Sequence, residues 1–233
     1  MNQAQALYHL QAIDLTISER QSRLASVERA LGDDKPVIAA EQALQQAEKT
    51  LAPWRQRVRD LELEIKSLVE KATAAERQLY SGSISNPKVL QDRQDELASL
   101  KRRRAKLEDD LLEAMIEVEN AQAALGEAQE NLEQVRSAWE KDQSDLAREQ
   151  QSLREALEEL KAQREAALQH VSPESLAAYD SLRASKRGQA VAQLTGNACK
   201  SCGVSQTTAT IQQVRQGREL IFCSNCGRIL VLL

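Results

Sequence analysis

The chain has 233 residues, 28% of them charged and only 3% aromatic, with eight glycines, four prolines and a net charge of −4. So few aromatic and turn-forming residues exclude a sandwich, a barrel or any large sheet, and the length sets one or two domains. Ala, Glu, Leu, Gln, Lys and Arg dominate instead, which is the composition of long helices and coiled coils.

The N-terminus carries no basic and then apolar leader, and no stretch is apolar enough for long enough to span a bilayer. The expected location is therefore the cytoplasm, with no membrane insertion. A first helix is predicted over residues 3–31, where Leu10, Ile17, Leu24 and Leu31 recur every seven residues beside Leu7, Ile13 and Val27. Gly32, Asp33 and Asp34 stop it, and Pro36 sits where a new helix starts.

The second helix is predicted over residues 36–79. Its stripe is Val37, Leu44, Leu51, Val58, Ile65, Ala72 and Leu79, with Ala40, Ala47, Trp54, Leu61, Leu68 and Ala75 as companions. Pro53 lies inside this pattern, and the missing N–H and ring clash of a mid-helix proline predict a bend or break over residues 51–54. Residues 80–88, Tyr-Ser-Gly-Ser-Ile-Ser-Asn-Pro-Lys, form the densest cluster of helix breakers before the C-terminal segment and mark a turn back.

Beyond the turn the repeat resumes at Leu90 and runs by sevens through Leu97, Arg104, Leu111, Val118, Leu125, Leu132, Trp139, Leu146, Leu153 and Leu160 to Ala167. Leu100, Leu107, Ala114, Ala121, Ala128 and Val135 complete the seam, which shifts to Leu157 after Asp142 and Glu149 interrupt it. A strict seven-residue period winds a stripe that a second helix must cover. Arms of nearly equal length on either side of the turn favour an antiparallel hairpin over a parallel dimer, so a monomer or weak dimer is expected. A short helix follows, begun by Ser172-Pro173 and stopped near Gly188.

The texture then changes. The last 46 residues hold five of the eight glycines and all four cysteines. The resulting division is a coiled-coil hairpin over residues 1–170 with its tip at 80–88, a short helix and linker over 171–189, and a small domain over 190–233. Charge divides too: residues 1–182 carry 24 basic and 34 acidic side chains, residues 183–233 seven basic and one acidic.

Cys199-x2-Cys202-Gly203 and Cys223-x2-Cys226-Gly227 lie twenty residues apart. Two such pairs are the spacing of a four-thiolate zinc site. Four protein ligands leave no position for water, so one structural Zn2+ is expected, supplying the stability that about 45 residues lack on their own. Residues 218–222 and 228–233 look like strands beside the second pair, and residues 207–215 fit either a strand or a short helix.

The whole pattern resembles the bacterial C4-type zinc-ribbon, coiled-coil family often labelled predicted nucleic-acid-binding proteins. The resemblance is carried by the tip from Tyr80-Ser81-Gly82 to Asn86-Pro87-Lys88, by Tyr179-Asp180-Ser181-Leu182-Arg183 with Ser185-Lys186-Arg187-Gly188, and by Cys223-x2-Cys226-Gly227-Arg228-Ile229-Leu230. It departs from the family's pattern at Ser224, where a proline is usual, and at Val231, where a tyrosine is usual. The resemblance implies a mainly α fold, a long kinked helical hairpin ending in a zinc ribbon. It also implies adaptor activity toward the alternative sigma factor sigma-54 or toward flagellar and type III secretion components, with messenger RNA binding in one relative.

Catalytic patterns are missing. His9 and His170 stand on helical segments with no nucleophile at a telling spacing, and there is no phosphate-binding glycine loop. The expectation is a non-enzymatic adaptor for protein partners, without a small-molecule substrate, with the coiled coil as lever and docking surface, the ribbon as a second contact site, and the tip residues Ile84, Asn86, Pro87 and Lys88 as a further one. The alternative is an RNA- or DNA-binding protein that contacts phosphates through Lys186, Arg187, Lys200, Arg215, Arg218 and Arg228.

Overall fold

The computed structural model describes residues 2–82 and 86–233. The expected order of helices is present: α1 (Gln3–Ala30), α2 (Lys35–Tyr80), α3 (Pro87–Leu168) and α4 (Pro173–Ser185). The C-terminal segment adds β1 (Val191–Thr195), β2 (Ala198–Cys199), α5 (Thr208–Gln216) and β3 (Ile229–Val231). The fold is mainly α, a long helical hairpin followed by a small zinc-ribbon region.

Local chemistry sets the boundaries. Asn2 opens α1 with a reciprocal capping box to Gln5. Ser172 accepts from the Ser175 N–H with Pro173 behind it, as its sequence predicts. The end of α4 is closed by the Lys186 and Gly188 N–H groups, which reach Leu182 and Arg183 carbonyls at 2.8 and 2.9 Å.

Contacts group the chain into two compact units, Met1–Gly32 with Gln143–Leu233, and Asp33–Asp142. In the second, α2 and the first part of α3 run antiparallel: Glu41 pairs with Arg136, Glu64 with Arg103 and Glu76 with Lys101. These exposed pairs mark the register and contribute little energy. The seam does the holding. Among the described α2 stripe and companion residues only Trp54 is exposed, and in the stripe from Leu90 to Ala167 only Arg104.

Of the expected bend or break, the break is absent: α2 continues as one helix through Pro53. Leu51 and Leu61 on either side are 2% and 1% exposed, so the buried seam holds the helix through the lost hydrogen bond.

In the first unit, α1 lies antiparallel to the end of α3, with Glu28 paired to Arg154, Arg23 to Glu149 and Asp14 to Arg164. Gln143 closes the α1 terminus by accepting from the Gly32 N–H and donating to the Ala30 carbonyl. The core joins Leu7, Leu10, Ile13 and Ile17 of α1 to Leu157 and Ala167 of α3, Tyr179 of α4, and Val191, Ile229 and Val231 of the sheet.

Inside this core Asp14 is 2% exposed, and its carboxylate is fully engaged. Oδ1 takes Arg164 Nε at 2.7 Å, and Oδ2 takes the Tyr179 hydroxyl at 2.8 Å and Arg183 Nη1 at 3.3 Å. Burial, then the bond to Asp14, pushes the Tyr179 hydroxyl well above its ordinary range, so it stays a donor. The hydrogen bond to Asp14 likewise raises Arg164.

Two outcomes follow for stability. A mid-helix proline costs about 3 kcal/mol, and removing it also frees the unfolded chain by up to about 1 kcal/mol. Pro53→Ala should therefore stabilise the protein by about 2 kcal/mol in urea titrations followed by circular dichroism. Asp14→Ala strands two guanidinium groups and a buried hydroxyl, and should cost about 3–5 kcal/mol in the same assay.

Candidate metal centre

The ribbon is built around a three-stranded sheet in the order β2-β1-β3. β1 and β2 form an antiparallel hairpin over Gly196-Asn197, pairing Leu194 with Cys199. β1 and β3 are parallel, pairing Val191 with Ile229, Ala192 with Leu230 and Gln193 with Val231. Of the two options for residues 207–215 the helix is found: α5 begins at Thr208, and Thr207 caps it by accepting from Thr210 N. Residues 218–222 do not form the expected strand. They meet β3 at one bridge, Phe222 with Ile229, and one bond from Leu230 N to the Ile221 carbonyl, because the cysteine turn begins at once. β1 was not expected, although Gly-Asn beyond a short apolar run is a hairpin signal.

Alternation along the strands sends side chains to two cores. Val191, Ile229 and Val231 face α1, whereas Ala192, Leu194 and Leu230 pack with Cys199, Cys223 and Val214. The sheet is thus a wall shared by the helical base and the cysteine site. Gln11 of α1 fastens that wall: its amide donates to the Val191 carbonyl at 2.9 Å and accepts from the Val191 N–H at 2.6 Å. Gln5 adds a bond to the Leu232 carbonyl at 3.2 Å. Gly217 ends α5 at φ +61°, and a Cβ there would lie 2.6 Å from Asn2 Nδ2, so α5 approaches the start of α1 closely.

Each cysteine pair sits on a tight turn. In the first, the Gly203 N–H bonds to the Cys199 carbonyl at 2.8 Å; in the second, the Gly227 N–H bonds to the Cys223 carbonyl at 2.9 Å. Both glycines have positive φ, +77° and +71°, with open space at the Cβ position, so backbone conformation and not crowding selects glycine.

The four sulfur atoms lie within 4.8 Å of one another. Cys199 and Cys226 Sγ are 3.9 Å apart, and Cys202 and Cys223 Sγ 3.6 Å. A tetrahedron with Zn–S bonds near 2.3 Å has edges of about 3.8 Å, so the donor set fits one zinc ion. Burial pushes the Cys199 thiol up to about 12. The Val204 backbone N–H pulls Cys202 down to about 6, with help from Asn225. Burial works against the Cys226 thiolate, but hydrogen bonds from Arg228 and Cys223 together leave it lowered. As four thiolates they close the coordination sphere and leave zinc a structural role.

Gln206 is the residue that the spacing did not reveal. It is 6% exposed and bridges the two turns. Its Nε2 donates to the Val204 carbonyl at 3.0 Å and to Cys223 Sγ at 3.4 Å, and its Oε1 accepts from Ser224 N and Oγ at 3.3 Å. Ser224, where the family usually has proline, supplies both of those donors.

The other expected contact residues are scattered over several elements. Lys186 and Arg187 follow α4, Lys200 lies between Cys199 and Cys202, and Arg215 and Arg218 flank the end of α5. Among the described residues these five form no ion pair. Arg228 is engaged, donating from Nε to the Gln189 carbonyl at 2.8 Å. At the tip, Asn86 accepts from the Lys88 N–H at 2.9 Å as Pro87 opens α3, and all three are exposed. Ile84 lies outside the described residues. His9 and His170 both line a groove of about 930 Å³ whose wall holds no acidic or cysteine side chain.

Residues 10–187 match the model of the CT398-like coiled coil hairpin domain, and residues 198–230 match that of the C4-type zinc ribbon domain. The chain belongs to the CT398-like hairpin family. An uncharacterized protein of Mycobacterium tuberculosis is 32% identical over 174 residues, 71% of this chain and 68% of that protein. The fold is shared with CT398 from Chlamydia trachomatis, at a TM-score of 0.68 and 18% identity over 99% of this chain and 97% of the other. It is also shared with a Mycobacterium smegmatis protein, at a TM-score of 0.62 and 20% identity over the full length of both.

Removal of zinc tests the site. Cys223→Ser should abolish stoichiometric zinc in a colorimetric assay and expose residues 195–228 to hydrogen exchange, while most helical circular dichroism persists. Gln206→Ala should keep one zinc but weaken its affinity about 10–100-fold in chelator competition.

Proposed function

We propose that this chain is a non-enzymatic adaptor that binds protein partners. The observation that carries the reading is the closed four-thiolate centre fastened to α1 through the shared sheet. Such a centre has no open coordination position for chemistry, and it stiffens a surface that already rests on the helical base. The family resemblance extends the proposal to partners in sigma-54-dependent transcription or in flagellar and type III secretion. Asn86, Pro87, Lys88 and Ile84 are proposed as contacts at the tip. Among the described residues, no helix is long and apolar enough to cross a membrane.

A second reading rests on a separate observation. Lys186, Arg187, Lys200, Arg215 and Arg218 carry charge that no acidic side chain among the described residues neutralises, and Phe222 is 45% exposed. Unpaired cations, together with one exposed ring elsewhere on the ribbon, suit weak, salt-sensitive contact with RNA or DNA phosphates.

Two measurements separate the readings. With zinc-loaded protein, fluorescence anisotropy on single- and double-stranded probes should show no binding even at low salt. In-cell crosslinking should join the tip and the ribbon to proteins whether or not nuclease is added. Binding that weakens with salt, and whose salt slope falls in the Lys186→Ala, Arg187→Ala, Arg215→Ala, Arg218→Ala variant, would replace the adaptor reading with the nucleic-acid one.

A further inference from the structure

Apart from Val89 in its first turn, the exposed large apolar side chains of α3 among the described residues are Leu112, Met115 and Ile116. They sit three and four positions apart on one face of the helix, and they are 60%, 45% and 56% exposed. The seam positions around them differ: Ala114 is buried, and Leu111 and Val118 are half-buried. An exposed cluster of large apolar side chains on an otherwise polar helix marks a contact surface.

Beside the cluster lies a groove of about 440 Å³ with Trp54, Ala114 and Ile116 as its apolar lining. Its remaining wall is Asp110, Glu113, Glu117 and a single cation, Arg57. Among the described residues, none of the three carboxylates forms an ion pair, although acidic residues elsewhere on α2 and α3 do. Residues 107–135 hold nine acidic side chains and no Lys, Arg or His.

We propose that this face is a docking site for a basic amphipathic helix of a partner protein. Apolar residues of that helix, at three- and four-residue spacing, would cover Leu112, Met115 and Ile116. Flanking Lys or Arg would meet Asp110, Glu113 and Glu117, and one could lie over the Trp54 ring. Charge argues against a second copy of this chain. A two-fold contact sets a patch against itself, which here places Asp110, Glu113 and Glu117 opposite the same three carboxylates. The proposal rests on the adaptor reading and adds the chemistry of the partner.

The test uses the full zinc-loaded chain and a fluorescent 21-residue peptide with Leu at helical spacing and Lys on the flanks. Two controls are a peptide of identical composition with scrambled Leu positions, and one with Glu in place of Lys. The patterned cationic peptide should bind at least about tenfold more tightly than either control. Leu112→Ser with Ile116→Ser should remove that advantage, and so should Glu113→Gln with Glu117→Gln. All four positions are exposed, so unchanged circular dichroism and zinc content show that folding is intact.

Equal binding of the patterned and scrambled peptides would overturn the proposal, as would variants that bind like the parent. Sedimentation showing a dimer that Leu112→Ser with Ile116→Ser dissolves would assign the face to a second copy and overturn it as well. Any of these results leaves the crosslinking assay of the adaptor reading untouched, so the two ideas fail separately.

Discussion

Three consecutive residues, Ile229, Leu230 and Val231, join two cores that would otherwise be independent. Strand geometry turns Ile229 and Val231 toward α1 and Leu230 toward the cysteines. Because β3 pairs in parallel with β1, Val191 repeats the first direction and Ala192 the second. Shifting the strand by one residue would exchange every side chain between the two cores, so the register is doubly specified. A ribbon of this size has little apolar surface to bury alone. Here it borrows one face from α1 and builds part of the other from metal ligands.

Such docking buries backbone and charged groups that need partners, and α1 provides them with short polar side chains. Gln3 spans from the His170 carbonyl to the Ser172 N–H, Gln5 reaches the Leu232 carbonyl, and Gln11 brackets the Val191 peptide. A side-chain amide carries both a donor and an acceptor, so one Gln can replace a strand neighbour at an edge. Asp14 does the equivalent work for charge, drawing Arg164 of α3 with Tyr179 and Arg183 of α4 onto one carboxylate. Among the described residues no buried side-chain nitrogen or oxygen is left unpaired. Specificity of assembly in this region thus rests on a few polar residues set within an apolar stripe.

The hairpin was legible because its signal is periodic and long. Seven-residue spacing from Leu90 to Ala167 defines α3 and its buried face without help from tertiary structure, and Ser172-Pro173 defines the start of α4. The zinc ligands were legible because tetrahedral thiolate coordination constrains their spacing. What escaped was carried by single residues or by pairing across long separations. Gln11 lies outside the heptad positions, and its role emerges only when Val191 is placed opposite it. Gln206 belongs to no motif, and β1 acquires its role only when β3 arrives beside it from 38 residues later. At Pro53 local propensity allows a break, and the buried seam on both sides keeps the helix continuous instead.

The heptad pattern also gives meaning to the residues that do not obey it. Once Leu111, Ala114 and Val118 are assigned to the buried seam, Leu112 and Ile116 have no partner to cover them inside the hairpin. Their exposure therefore lowers solubility without adding to the fold, while the coiled coil could accept Lys or Glu at either position at no packing cost. The acidic run around them offsets the solubility cost and at the same time repels another copy of the same face. An apolar ridge, unpaired carboxylates and self-repulsion together describe a surface that discriminates among partners by charge before it gains energy from burial.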